Sequence, residues 1–111
     1  MACAGRAGAE VPPDDPRREL QQEIGRHIPP DWTVHASWRG STLVGFVAPP
    51  IQQSFELLYE PDKQIEVLRG LCRQLTPAMW HKVGADNAIA LEPVISGKGS
   101  IGMRVGCVRA D

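Results

Sequence analysis

The chain has 111 residues, of which 42% are hydrophobic and 23% charged, a composition typical of one globular domain. Twelve Lys and Arg residues against thirteen Asp and Glu leave a formal net charge of −1, which excludes the strong positive field that gathers nucleic acid or an anionic membrane surface. Eleven glycines and ten prolines predict many short elements and exclude long uninterrupted helices.

The first thirteen residues predict a flexible tail. They are rich in Ala and Gly, end in Val11-Pro12-Pro13, and contain too few large apolar side chains to offset the entropy of ordering them. They also lack the apolar run of a secretory signal peptide, and no later run is long enough for a membrane span. We therefore expect no signal peptide and no transmembrane segment, with a single α+β domain over residues 14–111.

A first helix is predicted over residues 16–27. Asp14 and Asp15 are candidate caps, and Pro16 suits the first helical position. Pro29 and Pro30 end the helix because proline disfavours helical geometry in the residue before it. The apolar positions recur every four residues at Leu20, Ile24 and Ile28.

A hairpin follows. Residues 33–38 alternate between an apolar and a polar face, Arg39-Gly40-Ser41 is a turn signal, and residues 42–48 are a second strand. The polar face of the first strand carries Thr33, His35 and Ser37. A third strand is predicted over residues 54–60.

A second helix is predicted around Pro61, capped by Glu60 or Asp62 and ended by Thr76-Pro77, with residues 78–86 as a connection. Its apolar stripe is expected to pack on a sheet while its charged residues face water. The stripe consists of Ile65, Leu68, Leu71, Cys72 and Leu75, and the charged positions are Lys63, Glu66, Arg69 and Arg73.

The last two strands, residues 88–95 and 100–108, form a second predicted hairpin about the turn at residues 96–99. Pro93 indicates that strand 88–95 lies at a sheet edge or contains a bulge. An edge strand there is open to pairing with a partner strand or with a second copy in a homodimer. The side chains predicted to face the core from the last strand are Ile101, Met103, Val105 and Cys107.

The element order predicts an α+β fold. We expect an antiparallel sheet of about five strands with two helices packed on one face, in the order α-β-β-β-α-β-β. A helix, three strands and a second helix are also the order of double-stranded-RNA-binding domains, but Glu60, Asp62 and Glu66 surround Lys63 where such domains need lysines to contact phosphates. We therefore expect no nucleic-acid partner.

The cysteines and histidines predict neither a disulfide framework nor a metal site. Three cysteines, an odd number without C-x-x-C spacing, are typical of a reducing compartment, so we expect a cytoplasmic protein. Cys72 and Cys107 fall on apolar faces and are expected to be small core residues. His27, His35 and His81 lack ligand spacing, and we expect no metal and no cofactor.

Motifs for catalysis are weak. The sequence lacks a nucleophile elbow and paired carboxylates, and Gly97-Lys98 fits a hairpin turn better than a phosphate-binding loop, so we expect no enzyme activity. The alternative is a small enzyme or ligand-binding fold with a pocket near Cys72, His81 and Asp86.

Four residues are candidates for contacts with a protein partner. Trp32 and Trp80 lie at the ends of predicted elements, and tryptophan is enriched at the centres of interfaces, although core packing is the simpler explanation for either ring. His35 and Arg39 lie on and beside the polar strand face. The candidate contacts are therefore Trp32, His35, Arg39 and Trp80.

Two stretches resemble a known protein family. The helix Leu-Gln-Gln-Glu-Ile at 20–24 leads through Ile28-Pro29-Pro30-Asp31-Trp32 into a strand, which resembles the opening of the small immunity proteins that neutralise LXG-type polymorphic toxins. The helix with Leu-Arg-x-Leu-Cys at 68–72, then Trp80, a strand at 88–91 and the Gly97-Lys98 turn resemble the closing pattern of that family.

This resemblance implies a non-catalytic cytoplasmic inhibitor, an immunity or antitoxin protein, that occludes the active site of a toxin. The element order also resembles class I type III secretion chaperones, which implies a chaperone that binds an effector protein. A protein partner is expected in both cases.

Overall fold

A computed structural model describes residues 15–50, 60–95, 99–100 and 103–109. The predicted tail at 1–13, residues 54–59 of the predicted third strand and the turn residues 96–98 lie outside this part of the chain. The described elements are α1 Pro16–Gly25, β1 Thr33–Arg39, β2 Thr42–Ala48, α2 Pro61–Cys72, α3 Pro77–Val83, β3 Ala88–Ile95, β4 Gly99–Ser100 and β5 Val105–Gly106.

The fold is α+β, with a mixed five-stranded sheet that is mostly antiparallel, as predicted in outline. β1 and β2 form the predicted hairpin, in which Gly40 adopts a φ of +63° at the first central position of the turn. Glycine adopts this conformation without the steric cost that other residues meet. β4 and β5 both pair antiparallel with β3.

One pairing differs from the expected sheet, because β2 and β3 run parallel. The chain passes from β2 through α2 and α3 before it returns as β3, and such crossovers connect parallel strands. β3 therefore lies between β2 on one side and β4 and β5 on the other, so the predicted edge position of this strand is wrong.

Pro93 interrupts the pairing of the last segment with β3, as the bulge alternative predicted. Leu91 is opposite Val105, whereas Val94 is opposite Ser100, so the register of the last segment on β3 shifts by two residues between these two pairs. Pro93 lies on the side of β3 that faces this segment and has no N–H to donate. Met103 lies between these two pairs and is 73% exposed, so its predicted core position is wrong.

The core-facing prediction for the last strand is confirmed at two positions. Val105 is 8% exposed, and Cys107 is partly buried and packed against the core. Ile101 lies outside the described residues.

α1 begins at the predicted Pro16 and ends at Gly25, two residues before the predicted end. Asp15 caps the helix, since its Oδ1 accepts the Arg17 N–H at 2.7 Å. Gln21 of α1 accepts the Ala36 N–H at 2.9 Å, which satisfies a donor that β1 directs away from β2. Leu20 and Ile24 are fully buried, as predicted.

α3 occupies part of the segment predicted as a connection. α2 ends at Cys72, and Thr76 then caps a third helix by accepting the Met79 N–H at 3.2 Å. Pro77 at the first helical position completes a common start signal. Thr76-Pro77 therefore begins the third helix, whereas the second, which it was predicted to end, has already ended at Cys72.

The three helices pack on one face of the sheet around a single hydrophobic core, and the predicted stripe of α2 is part of it. No helix in the described residues is long and apolar enough to cross a membrane. The largest fully buried side chains are Trp80, Leu20, Ile24, Leu43, Met79, Ile89, Leu91, Val44 and Val47.

Candidate functional site

The sheet surface opposite the helices carries two of the predicted contact residues, His35 and Arg39. Strand alternation puts them on the side of β1 that faces away from Ala36 and the core. In the β1–β2 register His35 is opposite Phe46, and in the β2–β3 register Phe46 is opposite Glu92. We name this surface, formed by His35, Arg39, Phe46, Glu92 and Arg104, the open face, because His35 and Arg39 are exposed on it, although Val44 on the same side of β2 is fully buried.

Arg39 is exposed but held in place on the open face. Its Nη1 donates to the Ser37 Oγ at 2.8 Å, and its guanidinium carbon lies 5.2 Å from the centre of the Phe46 ring. Such a cation–π contact contributes about 0.5–1 kcal/mol at an exposed site. Among the described residues, Arg39 has no carboxylate within ion-pair distance. Its charge is therefore ordered and available to a partner.

Glu92 and Arg104 form an ion pair on the same surface. The Arg104 Nε donates to the Glu92 Oε1 at 2.9 Å, with 42% of the arginine side chain and 13% of the glutamate side chain exposed. This pair joins the segment before β5 to the centre of the sheet. Its two charges balance each other, so the charge of Arg39 is the one without an opposite charge beside it in the described part of the face.

Trp32 lies elsewhere. It precedes β1, is half-buried against the core, and lines a groove of about 340 Å³ on the helix side of the molecule. The other walls are the turn after α1 and one side of α2, including Ile28, Val67 and Leu71. The structure thus brings His35 and Arg39 together and separates Trp32 from them by the thickness of the sheet.

No family model, curated protein or solved structure matches this chain. Its function is therefore inferred from its own residues.

Trp80 is buried in the core with 1% of its surface exposed. Arg109 lies over its ring at 4.9 Å and donates to the carbonyl oxygens of Gly84 and Asn87, so the end of the described chain covers the indole. A side chain with so little exposed surface cannot contact a partner in this conformation. The packing alternative therefore describes Trp80 in this structure.

The residues of the enzyme alternative do not form a common pocket among the described residues. Cys72 is bonded to Cys107 in a disulfide, whereas His81 on α3 and Asp86 in the following turn are exposed. A disulfide sulfur is not the thiolate that nucleophilic catalysis requires. Within the described part of the chain, no three His, Cys, Asp or Glu side chains are grouped so that they could hold a metal ion.

The disulfide corrects the prediction that Cys72 and Cys107 are independent core residues. Their Cα atoms are 5.2 Å apart, within the range that disulfides require. The apolar pattern gave each cysteine its correct face but carried no information on which residues of α2 and the last segment meet.

The sequence reasoning missed Phe46, Glu92 and Arg104. A signal for Phe46 existed, because the two-residue turn Gly40-Ser41 fixes the register that places it opposite His35. Arg104 had no such signal, since its position depends on the two-residue interruption near Pro93.

Proposed function

We propose that this protein is a non-catalytic binding protein that contacts a protein partner through its open face. The observation that carries the proposal is the ordered, exposed guanidinium of Arg39 over the Phe46 ring, next to His35. Arginine and aromatic side chains dominate the binding energy of protein interfaces.

The chemistry of this surface suits an acidic partner. Arg39 and His35 lie in line on the outward side of β1, and neither has an ion-pair partner in the described residues. The half-buried Phe46 adds apolar area beside them. A mixed surface of this kind, with aromatic and arginine groups near its middle, matches the anatomy of transient protein interfaces.

In its specific form, we propose an immunity or antitoxin protein that occludes a toxin. The resemblance of residues 20–32 and 68–98 to immunity proteins of LXG-type toxins supports this form. Occlusion requires only that the inhibitor has a surface complementary to the toxin, and the inhibitor performs no reaction. A secretion chaperone that uses the same face is the alternative, and the two differ in what happens to the partner's activity.

We give the enzyme alternative less weight. Its candidate nucleophile, Cys72, is bonded to Cys107, and the exposed His81 and Asp86 are not among the described residues that line the groove at Cys72. A native-state thiol probe tests this directly: rapid labelling of Cys72 at neutral pH supports an activated thiol, and no labelling supports the disulfide.

The test of the main proposal is affinity capture from the native host with three tagged proteins: the unchanged chain, Arg39→Glu and Arg18→Glu. Arg18 is an exposed arginine on α1 and provides a charge reversal remote from the open face. We expect a stoichiometric partner with the unchanged chain and with Arg18→Glu, and at least a tenfold loss with Arg39→Glu. Equal capture by all three would exclude the open face, and no partner for any of them would overturn the binding function.

The purified partner then distinguishes the two forms of the proposal. An immunity protein inhibits the toxic activity of the partner completely at one equivalent. The Arg39→Glu variant, even when added in excess, should inhibit that activity less than the unchanged chain does. A chaperone leaves the activity unchanged and keeps its partner in solution. Salt titration of the complex should weaken it, because the contact of Arg39 is electrostatic.

A cytoplasmic location belongs to the same proposal, and the disulfide is an observation against it. Cytosolic glutathione and thioredoxin keep thiols reduced, whereas disulfides persist in oxidising compartments. Acid quenching of cells followed by alkylation and mass spectrometry measures the state of Cys72 and Cys107. Free thiols support the cytoplasm, and a bonded pair supports an oxidising compartment.

A further inference from the structure

A second surface, distinct from the open face, lies where α2 approaches β5. A groove of about 580 Å³ opens there, lined by Arg69 and Cys72 of α2, the C-cap residue Arg73, Gly106 of β5 and Val108. A helix forms one wall and a strand edge the other.

The strand wall has unpaired backbone groups. The Cys107 N–H donates to the Ile89 oxygen at 2.9 Å, and Val105 is opposite Leu91, so these residues direct their peptide groups toward β3. Alternation along a strand turns the N–H and C=O of Gly106 the opposite way, into the groove. Among the described residues neither group has a hydrogen-bond partner, and a Cβ added at Gly106 would meet no atom within 4 Å.

The helix wall is positively charged. Arg69 lies in the last turn of α2 and Arg73 is the C-cap four residues later. Both are exposed, and in the described part of the chain neither guanidinium has a carboxylate partner. Val108, 85% exposed at the same groove, is one of two large hydrophobic side chains exposed in the described residues. The groove is therefore lined by a strand edge without a backbone partner, two arginines without a carboxylate partner, and an exposed apolar side chain, all among the described residues.

We propose that this groove binds an extended acidic segment of a partner protein, which adds as a strand to the outer edge of β5. The segment's backbone would pair with the N–H and C=O of Gly106, and its carboxylates would meet Arg69 and Arg73. In strand addition the main chain supplies affinity and the neighbouring side chains supply specificity. Carboxylates are the groups that arginine recognises with two parallel hydrogen bonds.

Charge disfavours a second copy of this chain as the occupant. A two-fold interface brings the same patch of both copies together, so the unpaired Arg69 and Arg73 of each copy would meet those of the other. An acidic segment instead neutralises both residues.

The disulfide holds the two walls of this groove together. Cys72 belongs to α2 and Cys107 follows Gly106, and their Cα atoms are 5.2 Å apart. The width of the groove is thus fixed by a covalent bond before a segment binds. Pre-organisation of this kind lowers the entropic cost of binding.

The proposal does not depend on the open face. Arg39 and the groove lie on different parts of the sheet, so loss of binding at one surface leaves the other testable.

The test is an NMR titration of the oxidised full chain with a nine-residue peptide of alternating Val and Glu, and with a matched peptide of alternating Val and Lys. We expect saturable shifts of the Arg69, Gly106 and Val108 amides with the acidic peptide, lost at high salt, and no saturation with the basic one. The absence of saturation with the acidic peptide, or equal shifts with both, would overturn the proposal.

Two pairs of variants locate the contact. Gly106→Pro removes the N–H that faces the groove, whereas Gly106→Ala keeps it and fits the open space. The double variant Arg69→Glu/Arg73→Glu reverses the helix wall, and Arg18→Glu is its control on α1. We expect at least tenfold weaker binding for the first member of each pair and less than a twofold change for the second.

Two further measurements keep these variants interpretable. Thermal unfolding and the intact disulfide confirm that each variant is folded, so a loss of binding is not a loss of structure. Sedimentation tests self-association. A dimer of the unchanged chain that Gly106→Pro converts to a monomer would identify a second copy as the occupant and overturn the acidic segment.

Discussion

The carboxylate of Glu23 accepts two hydrogen bonds from Thr76, a residue 53 positions further along the chain. Its Oε1 accepts the Thr76 N–H at 3.0 Å, and its Oε2 accepts the Thr76 hydroxyl at 2.7 Å. The same hydroxyl oxygen accepts the Met79 N–H at the start of α3. Glu23 thus joins α1 to the cap of α3 from a position that is 5% exposed.

We expect removal of this carboxylate to cost far more than a surface substitution does. Glu23→Ala leaves the amide and hydroxyl of Thr76 without their acceptor, and the free energy of unfolding should fall by about 2–4 kcal/mol. Glu23→Gln keeps one acceptor oxygen and should cost about 1–2 kcal/mol. Urea unfolding measures both changes.

A matched control joins the same two helices. Glu19 of α1 and Lys82 of α3 form an ion pair at 3.0 Å, but their side chains are 27% and 37% exposed. Glu19→Gln should change stability by less than about 1 kcal/mol, since exposed pairs contribute little. A cost for Glu19→Gln equal to that of Glu23→Ala would contradict the role we assign to the buried contact.

The Cys72–Cys107 disulfide closes a long loop and should be a major source of stability. The two residues are 35 positions apart, and cross-linking a loop of this length restricts the unfolded chain by about 4 kcal/mol. We expect dithiothreitol to lower the free energy of unfolding by roughly this amount. The variant Cys72→Ser/Cys107→Ser should show the lower stability with and without reductant, and an unchanged chain that is indifferent to reductant would refute the prediction.

Gly45 lets three elements approach closely. A Cβ added to it would lie 2.8 Å from the Cδ2 of Leu91 on β3 and 3.4 Å from the Cδ2 of Leu20 on α1. Both leucines are fully buried, so neither side chain moves away freely. Gly45→Ala should therefore destabilise the protein by about 1–3 kcal/mol, as overpacked cores do.

A glycine-to-alanine substitution in α2 should have the opposite effect and stabilise the protein. A Cβ at Gly70 meets no atom within 4 Å, and alanine is preferred over glycine in a helix by about 1 kcal/mol. Gly70→Ala should raise the melting temperature while Gly45→Ala lowers it. If both variants move in the same direction, crowding at Gly45 is not the dominant effect.

Local signals predicted the elements whose residues contact near neighbours in sequence. The bounds of β2 and β3 follow from apolar patterning between turn signals, and Asp15-Pro16 marks the start of α1 correctly. The parallel pairing of β2 with β3 could not be predicted in this way, because it depends on where α2 and α3 return the chain. The apolar pattern of a buried strand is the same whether its neighbour runs parallel or antiparallel.

The contacts at the candidate surfaces also differ in whether a local sequence pattern could predict them. The face of His35 and the turn that carries Arg39 into register with Thr42 are local properties, and they were predictable. The contact between Cys72 and Cys107, the ion pair of Arg104 with Glu92 and the cover of Arg109 over Trp80 are contacts between distant segments. Each depends on the register of the last segment, which Pro93 shifts by two residues and which no local pattern reports.

Asp15 should contribute a pH-dependent part of the stability. Its carboxylate accepts hydrogen bonds from the Arg17 side chain and backbone N–H, and the side-chain bond is the main reason that the pKa of Asp15 lies below its ordinary value of 3.8. A carboxyl group whose pKa is lower in the folded state stabilises the protein above its unfolded pKa, and this stabilisation is lost as the pH falls through the folded value.

Asp15→Asn keeps a capping oxygen but cannot ionise. Its free energy of unfolding should therefore be lower than that of the unchanged chain at neutral pH, and this deficit should shrink below about pH 4. Asp15→Ala also loses the cap, at about 1 kcal/mol, and should stay less stable at every pH. Urea unfolding of the three proteins across this range is the measurement, and a deficit of Asp15→Asn that is constant with pH would show that the charge of Asp15 contributes nothing.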